Sequence, residues 1–165
     1  MPEQSALSSS AQKVQDALVA MGSKAIVVEH EHPGRTAAEA ALLLLCDIAQ
    51  IAKSIIFKSA STGQSVLVIT SGANRVDEKK VTAILGDKLT KADAAFVREQ
   101  TGFAIGGVPP FAHANPGAIL LDVDLLKFDQ VFPAGGTPHA MFAIDPNELL
   151  RICGAQLSDI KQVRE

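Results

Sequence analysis

The stretch Ile51-Ala52-Lys53-Ser54-Ile55-Ile56-Phe57-Lys58-Ser59-Ala60 is followed by Ser61-Thr62-Gly63-Gln64 and then by Val66-Leu67-Val68-Ile69-Thr70. Two runs rich in apolar and β-branched residues, parted by a short polar segment with a glycine, spell a β-hairpin. Around it the punctuation changes from strand to helix. Upstream, Ala11, Val14, Ala17, Leu18 and Met21 recur at helical spacing and predict a helix over Ser8–Met21, stopped by Gly22. Ala25–Val28 is a short strand-like run that ends in the polar turn Glu29-His30-Glu31-His32-Pro33-Gly34. Thr36-Ala37-Ala38-Glu39 has the spacing of a capping box and opens a helix to about Cys46, whose nearly all-apolar sequence predicts burial.

Downstream, Asp77 caps a helix over Glu78–Leu85, with Val76 and Val81 as a hydrophobic staple and Gly86 as its stop. Asp93–Gln100 is a short helix ended by Gly102, and Ala118–Val123, Val131–Phe132 and Ala140–Ile144 are strand candidates. Asp145-Pro146 opens a last helix, Asn147–Cys153, with proline where its missing N–H costs nothing. Strands and helices mix without strict βαβ alternation. The expectation is an α/β (α+β) fold: a single domain with a mixed, barrel-like sheet surrounded by helices. Residues 1–10, polar and serine-rich, are expected to be a flexible N-terminus, and residues 11–165 the one domain.

Composition narrows the function classes. With 47% hydrophobic and 20% charged residues the chain is an ordinary globular one, long enough at 165 residues to close one core. The apolar run Ala40–Cys46 is far short of the roughly 20 residues that span a bilayer, and no secretory signal is visible, so the expected location is cytoplasmic with no membrane partner. Cys46 and Cys153 sit among apolar neighbours outside any C-x-x-C pair and read as two buried thiols. A net charge of −3, without Trp or Tyr, disfavours a long nucleic-acid groove and DNA binding. A small pocket for one terminal nucleotide remains compatible.

Three segments carry candidate chemistry. Gly106-Gly107-Val108-Pro109-Pro110-Phe111 removes two Cβ atoms and then stiffens the backbone, so its amides can approach a carbonyl that becomes negative during attack; it is also what a tight surface turn looks like. Lys53, near the start of an apolar strand, is placed either to hold a phosphate or to snorkel at a strand end, and alternation puts Lys58 on the opposite face. In Gly135-Gly136-Thr137-Pro138-His139 the imidazole can wall a pocket or serve the fold. His30 and His32 have no third ligand at convincing spacing, so no metal is expected. Nucleoside-triphosphate loops, G-x-S-x-G and H-E-x-x-H are absent from the sequence.

Taken in order, these segments resemble the YbaK family, which shares its fold with the editing (INS) domain of bacterial prolyl-tRNA synthetases. The likeness runs from about Ala25 to Asp159. It rests on Lys53 in AKSIIFK, Arg75-Val76-Asp77-Glu78-Lys79-Lys80, a G-x-x-x-P loop at Gly106–Pro110 after Thr101-Gly102, and the Gly135-Gly136 turn before Asp145–Leu150. The resemblance implies a trans-acting deacylase that hydrolyses the ester of a mischarged aminoacyl-tRNA, without cofactor, metal or protein nucleophile. Lys53, Gly106 and Gly107 would be catalytic. Val108, Pro109, Pro110, Phe111, Gly135, Gly136, His139 and Arg75 would bind substrate. The implied partners are the tRNA acceptor end and prolyl-tRNA synthetase. His139 stands where the cysteinyl-tRNA-clearing type has glycine and is similar to the alanine-editing insertion domain, so alanine or another small residue on tRNA(Pro) is favoured. Pro109 replaces the usual Ser or Thr, which removes a hydroxyl contact at that point. The alternatives are a cysteinyl-tRNA deacylase and a non-catalytic module that binds an aminoacyl or nucleotide ligand.

Overall fold

The hairpin forms the middle of the molecule. In the computed structural model, which describes residues 6–163, β2 (Ile51–Ser59) and β3 (Ser65–Ser71) pair antiparallel from Ala52–Ser71 to Lys58–Ser65 without a break. Gly63, at φ +72°, turns the chain between them. Ahead of the hairpin come α1 (Ser9–Ala20), β1 (Val28–Glu29) and α2 (Ala37–Leu44). After it follow α3 (Glu78–Leu85), β4 (Leu89–Lys91), α4 (Ala94–Thr101), β5 (Ala118–Asp122), β6 (Phe132–Pro133), β7 (Ala140–Met141), α5 (Pro146–Cys153) and β8 (Gln156–Ser158).

The main sheet runs β4-β2-β3-β5-β8, with β6 joining the same edge of β2 that β4 uses further along. β5 is parallel to both β3 and β8. β1 and β7 form a separate two-stranded sheet. The fold is the mixed α/β domain expected, but the sheet is not a closed barrel.

Every residue of β3 is buried, because the two faces of the strand meet two different layers. Leu67 and Ile69 join the main core with Val14 and Leu18 of α1, Val97 of α4 and Leu149 of α5. Val66 and Val68 pack on the other face against Val81 of α3, Leu120 and Ile160. Strands covered on both sides read as unbroken apolar runs, and each such side chain contributes about 1.5–3 kcal/mol.

Helix ends follow the predicted chemistry. Asp77 accepts from the Lys79 and Lys80 amides, and Gly86 closes α3 at φ +70°; Val76 and Val81 meet in one cluster as a staple. Asp93 and Asp145 cap α4 and α5, with Pro146 in the first turn of α5. Ser8 caps α1, so the helical chain begins before residue 11, where the folded part was expected to start. Of the opening stretch expected to be flexible, residues 1–5 lie outside the described residues.

Four expectations need correction. α2 is not buried: Ala40 and Ala41 are, but Leu42 is 76% and Leu45 92% exposed. A two-turn helix presents only one face to the sheet, and no other element among the described residues covers the outer one. Its capping box is also half formed, since Thr36 accepts from the Glu39 amide while Glu39 reaches the amide of Arg35. The first strand forms at Val28–Glu29 rather than over Ala25–Val28, because the Gln15 side chain of α1 bonds the Ala25 carbonyl and the Val27 amide in place of a neighbouring strand. Cys46 and Cys153 are free thiols, Cys153 buried and Cys46 only half-buried. No helix among the described residues is long and apolar enough to cross a membrane.

Candidate active site

The N-terminus of α2, the start of β2 and the loop after α4 converge on one cavity of about 230 Å³. Lys53 and Gly106, 53 positions apart in sequence, both line it, together with Ser54 and Val108. Its inner wall is apolar: Ala40, Ile51, Phe132 and Met141. Lys53 leaves β2 on the exposed side and makes no ion pair among the described residues. Lys58 stands elsewhere, with its ammonium 5.3 Å from the Phe96 ring centroid.

Sequence reasoning missed Arg35 and Ser54. Arg35 precedes the Thr36 cap, lines the same cavity, and likewise has no carboxylate partner among the described residues. Among the described residues no Asp or Glu lines the cavity. Two unpaired cations beside a carboxylate-free wall make a local positive field in a chain of net charge −3. The capping signal located Arg35 on a helix start, but nothing local to it says that the helix abuts β2.

The glycine loop is a built turn. The Gly107 amide donates to the Ala104 carbonyl at 3.0 Å, and Gly106 adopts φ +92°, the conformation that this third turn position requires. A β-carbon on Gly107 would lie 2.5 Å from Thr137 Cα, so this glycine allows two backbones to touch and does not line the cavity. The Gly107 amide is therefore spent on the turn. The Gly106 and Val108 amides have no acceptor among the described residues, and both residues line the cavity.

Past Val108 the loop is anchored in the core. Pro109, Pro110 and Phe111 are buried and do not line the cavity. Phe111 packs on Phe142 with ring centroids 5.7 Å apart. His113 Nε2 lies 2.6 Å from the Pro109 carbonyl. Burial pushes the His113 pKa down, so the neutral ring donates there.

The later turn stands behind the cavity. A β-carbon on Gly135 would lie 2.9 Å from Val27 Cγ1, and one on Gly136 would lie 2.5 Å from the Ser10 carbonyl oxygen. Both glycines thus permit close packing, against the residue before β1 and against α1. His139 Nδ1 lies 3.2 Å from the His30 carbonyl, which makes it the protonated nitrogen, and the ring does not line the cavity. Pro138 and Ala140, its neighbours, do. Arg75 lines a separate depression with Asn74, Lys161 and Gln162. Among the described residues no group of three or more His, Cys, Asp or Glu side chains comes together.

Comparison with known proteins gives a consistent result. The family model described as an aminoacyl-tRNA editing domain matches residues 31–152. The uncharacterized protein YwhH of Bacillus subtilis (strain 168) is 36% identical over 123 residues, covering 74% of this chain and 78% of that protein. A solved structure described as a candidate trans-editing enzyme for prolyl tRNA synthetase superposes with a TM-score of 0.90 at 45% identity, over 96% of this chain and 100% of the other. A solved hypothetical protein matches at TM-score 0.84 and 31% identity, over 91% of this chain and 99% of its own.

Proposed function

The chain belongs to the aminoacyl-tRNA editing domain family, and from that premise we propose that it hydrolyses in trans the ester joining alanine, or another small amino acid, to the terminal adenosine of a mischarged tRNA(Pro). The observation that carries this reading is the cavity shared by Lys53, Gly106 and Val108. A lysine and an arginine at its mouth suit the last phosphodiester of an acceptor end. The apolar wall of Ala40, Ile51, Phe132 and Met141 suits a short side chain.

Water attacks the ester carbonyl carbon, and the negative charge that builds on its oxygen is met by the Gly106 and Val108 amides. Such preorganised donors are typically worth about 2.7–4 kcal/mol each. The C–O bond to the ribose breaks, and the ribose oxygen takes the proton that water gives up, with the neighbouring ribose hydroxyl as relay. The products are free amino acid and uncharged tRNA. Among the described residues the lining holds no Cys, His, Asp or Glu, which fits attack by water under electrostatic stabilisation. The enzyme would work in the cytoplasm on tRNA released by prolyl-tRNA synthetase.

A deacylation panel over alanyl, cysteinyl, seryl and 2-aminobutyryl tRNAs tests the proposal. Alanyl-tRNA(Pro) is expected to be cleared fastest, and Lys53→Ala to abolish the excess over buffer. Preference for cysteinyl-tRNA would reassign the substrate. Equal rates with and without protein across the panel would leave a binding module.

A further inference from the structure

One edge of β2 is uncovered beside the cavity. The Gly72 amide donates to the Ile51 carbonyl at 2.8 Å, and the Ser59 amide to the Gln64 carbonyl at 2.8 Å. The register between these bonds is unbroken, so odd-numbered residues of β2 turn their backbone groups toward β3. Even-numbered residues turn theirs to the opposite edge. On that edge the pairing with β6 ends at Ala52 and the pairing with β4 begins only at Phe57.

Between the two pairings, the Ser54 carbonyl and the Ile56 amide have no partner among the described residues. Backbone groups in such a setting are ordinarily paired. They open into a second lobe of about 290 Å³, walled by Ile55, Ile56, Ala92 and Val97. Lys53, Ser54, Ile105, Gly106 and Val108 line both lobes. The Ser54 Oγ at this junction is buried and also lacks a partner, a condition that native structures rarely leave unexplained.

We propose that this uncovered step of β2 is the subsite for the terminal adenine base, an assignment that rests on the deacylase reading above. The Ser54 carbonyl accepts from the exocyclic amino group, and the Ile56 amide donates to the adjacent ring nitrogen. An acceptor at one residue and a donor two residues on match the amino and ring-nitrogen pair of adenine. Guanine and uracil present a carbonyl and an N–H there, so donor would meet donor and acceptor would meet acceptor. Cytosine has the same order as adenine but a smaller ring, which would leave part of the lobe empty. Unstacked bases are commonly read in this way, by their pairing edge between apolar walls. The base then fills one lobe and the amino-acid side chain the other. The ester lies at the junction, with the Ser54 hydroxyl left for the ribose.

The test alters the ligand, so the fold is untouched. In the first arm, ¹⁵N-labelled full-length protein is titrated with adenosine 5′-monophosphate and, separately, guanosine 5′-monophosphate. The Ile56 amide resonance is expected to move saturably with the first and not with the second. Equal movement with both, or an Ile56 resonance unmoved by the adenosine compound, overturns the proposal. In the second arm, mischarged tRNA ending in adenosine is compared with tRNA ending in purine riboside, which lacks the amino group. The expected loss in kcat/KM is about tenfold to a hundredfold. An undiminished rate overturns the base subsite and leaves the deacylase reading standing. Failure to hydrolyse either RNA defeats the deacylase reading, and the titration then decides the base subsite alone.

Discussion

Gly107 and Thr137 touch backbone to backbone: a β-carbon on Gly107 would lie 2.5 Å from Thr137 Cα and 2.7 Å from its amide nitrogen. This contact seats the loop that carries the free Gly106 and Val108 amides on the turn that carries Pro138. Gly107→Ala must push the two segments apart. The expected outcome is a loss of about 1–3 kcal/mol in urea unfolding and a fall in kcat larger than any rise in KM. A variant with full kcat would detach this contact from catalysis.

Gly136→Ala makes a contrasting case. Its β-carbon would meet the Ser10 carbonyl oxygen at 2.5 Å, and Gly136 sits at φ +109°. The expected result is a destabilised domain with α1 loosened, seen as a lower Tm and faster amide exchange over residues 9–20, while the folded fraction keeps its KM. A raised KM with unchanged Tm would return this turn to the substrate.

Arg35→Ala removes one of the two unpaired cations at the cavity mouth. KM for mischarged tRNA is expected to rise about tenfold or more, with kcat largely spared, since a hydrogen bond to a charged group is worth roughly 1.5–3 kcal/mol. The slope of log kcat/KM against log salt should also shrink by about 0.7, the contribution of one single-strand phosphate contact. Unchanged salt dependence would remove Arg35 from the phosphate.

Leu45 ends α2 in the left-handed region at φ 53° and is 92% exposed. It combines a strained backbone with a wetted apolar side chain. Leu45→Gly is expected to stabilise the domain by about 0.5–1 kcal/mol, read as a higher urea midpoint. A lower midpoint would mean that Leu45 packs on something in solution.

Asp124 is held well below the usual carboxylate range, first by Lys161 at 2.8 Å, then by Asn74 and Lys127. A folded-state pKa below the unfolded value gives stability that is present above about pH 4. That contribution is lost as pH falls toward the lower, folded value. Urea midpoints should therefore drop below about pH 4, and Asp124→Asn should flatten that drop. An unchanged acid limb in the variant would refute the assignment.

What was legible in the sequence was local. Asp77, Asp93 and Asp145 announced their helices because an N-cap acts within three residues, and Gly63 and Gly106 marked turns because a residue at positive φ is most easily glycine. Lys53 and the glycine loop were found by type and order, and the resemblance they carry held for the family and the fold. What only the tertiary structure decided was direction. Gly107, Gly135 and Gly136 look like Gly106 in sequence, yet three of them make room for a neighbouring backbone or side chain and one opens on a cavity. Arg35 and Ser54 carried no local signal of a shared cavity, because their setting is created by segments from distant parts of the chain. Leu42 and Leu45 are exposed for the same reason: an apolar residue is buried only where another element arrives to cover it, and the sequence of one helix does not say what arrives.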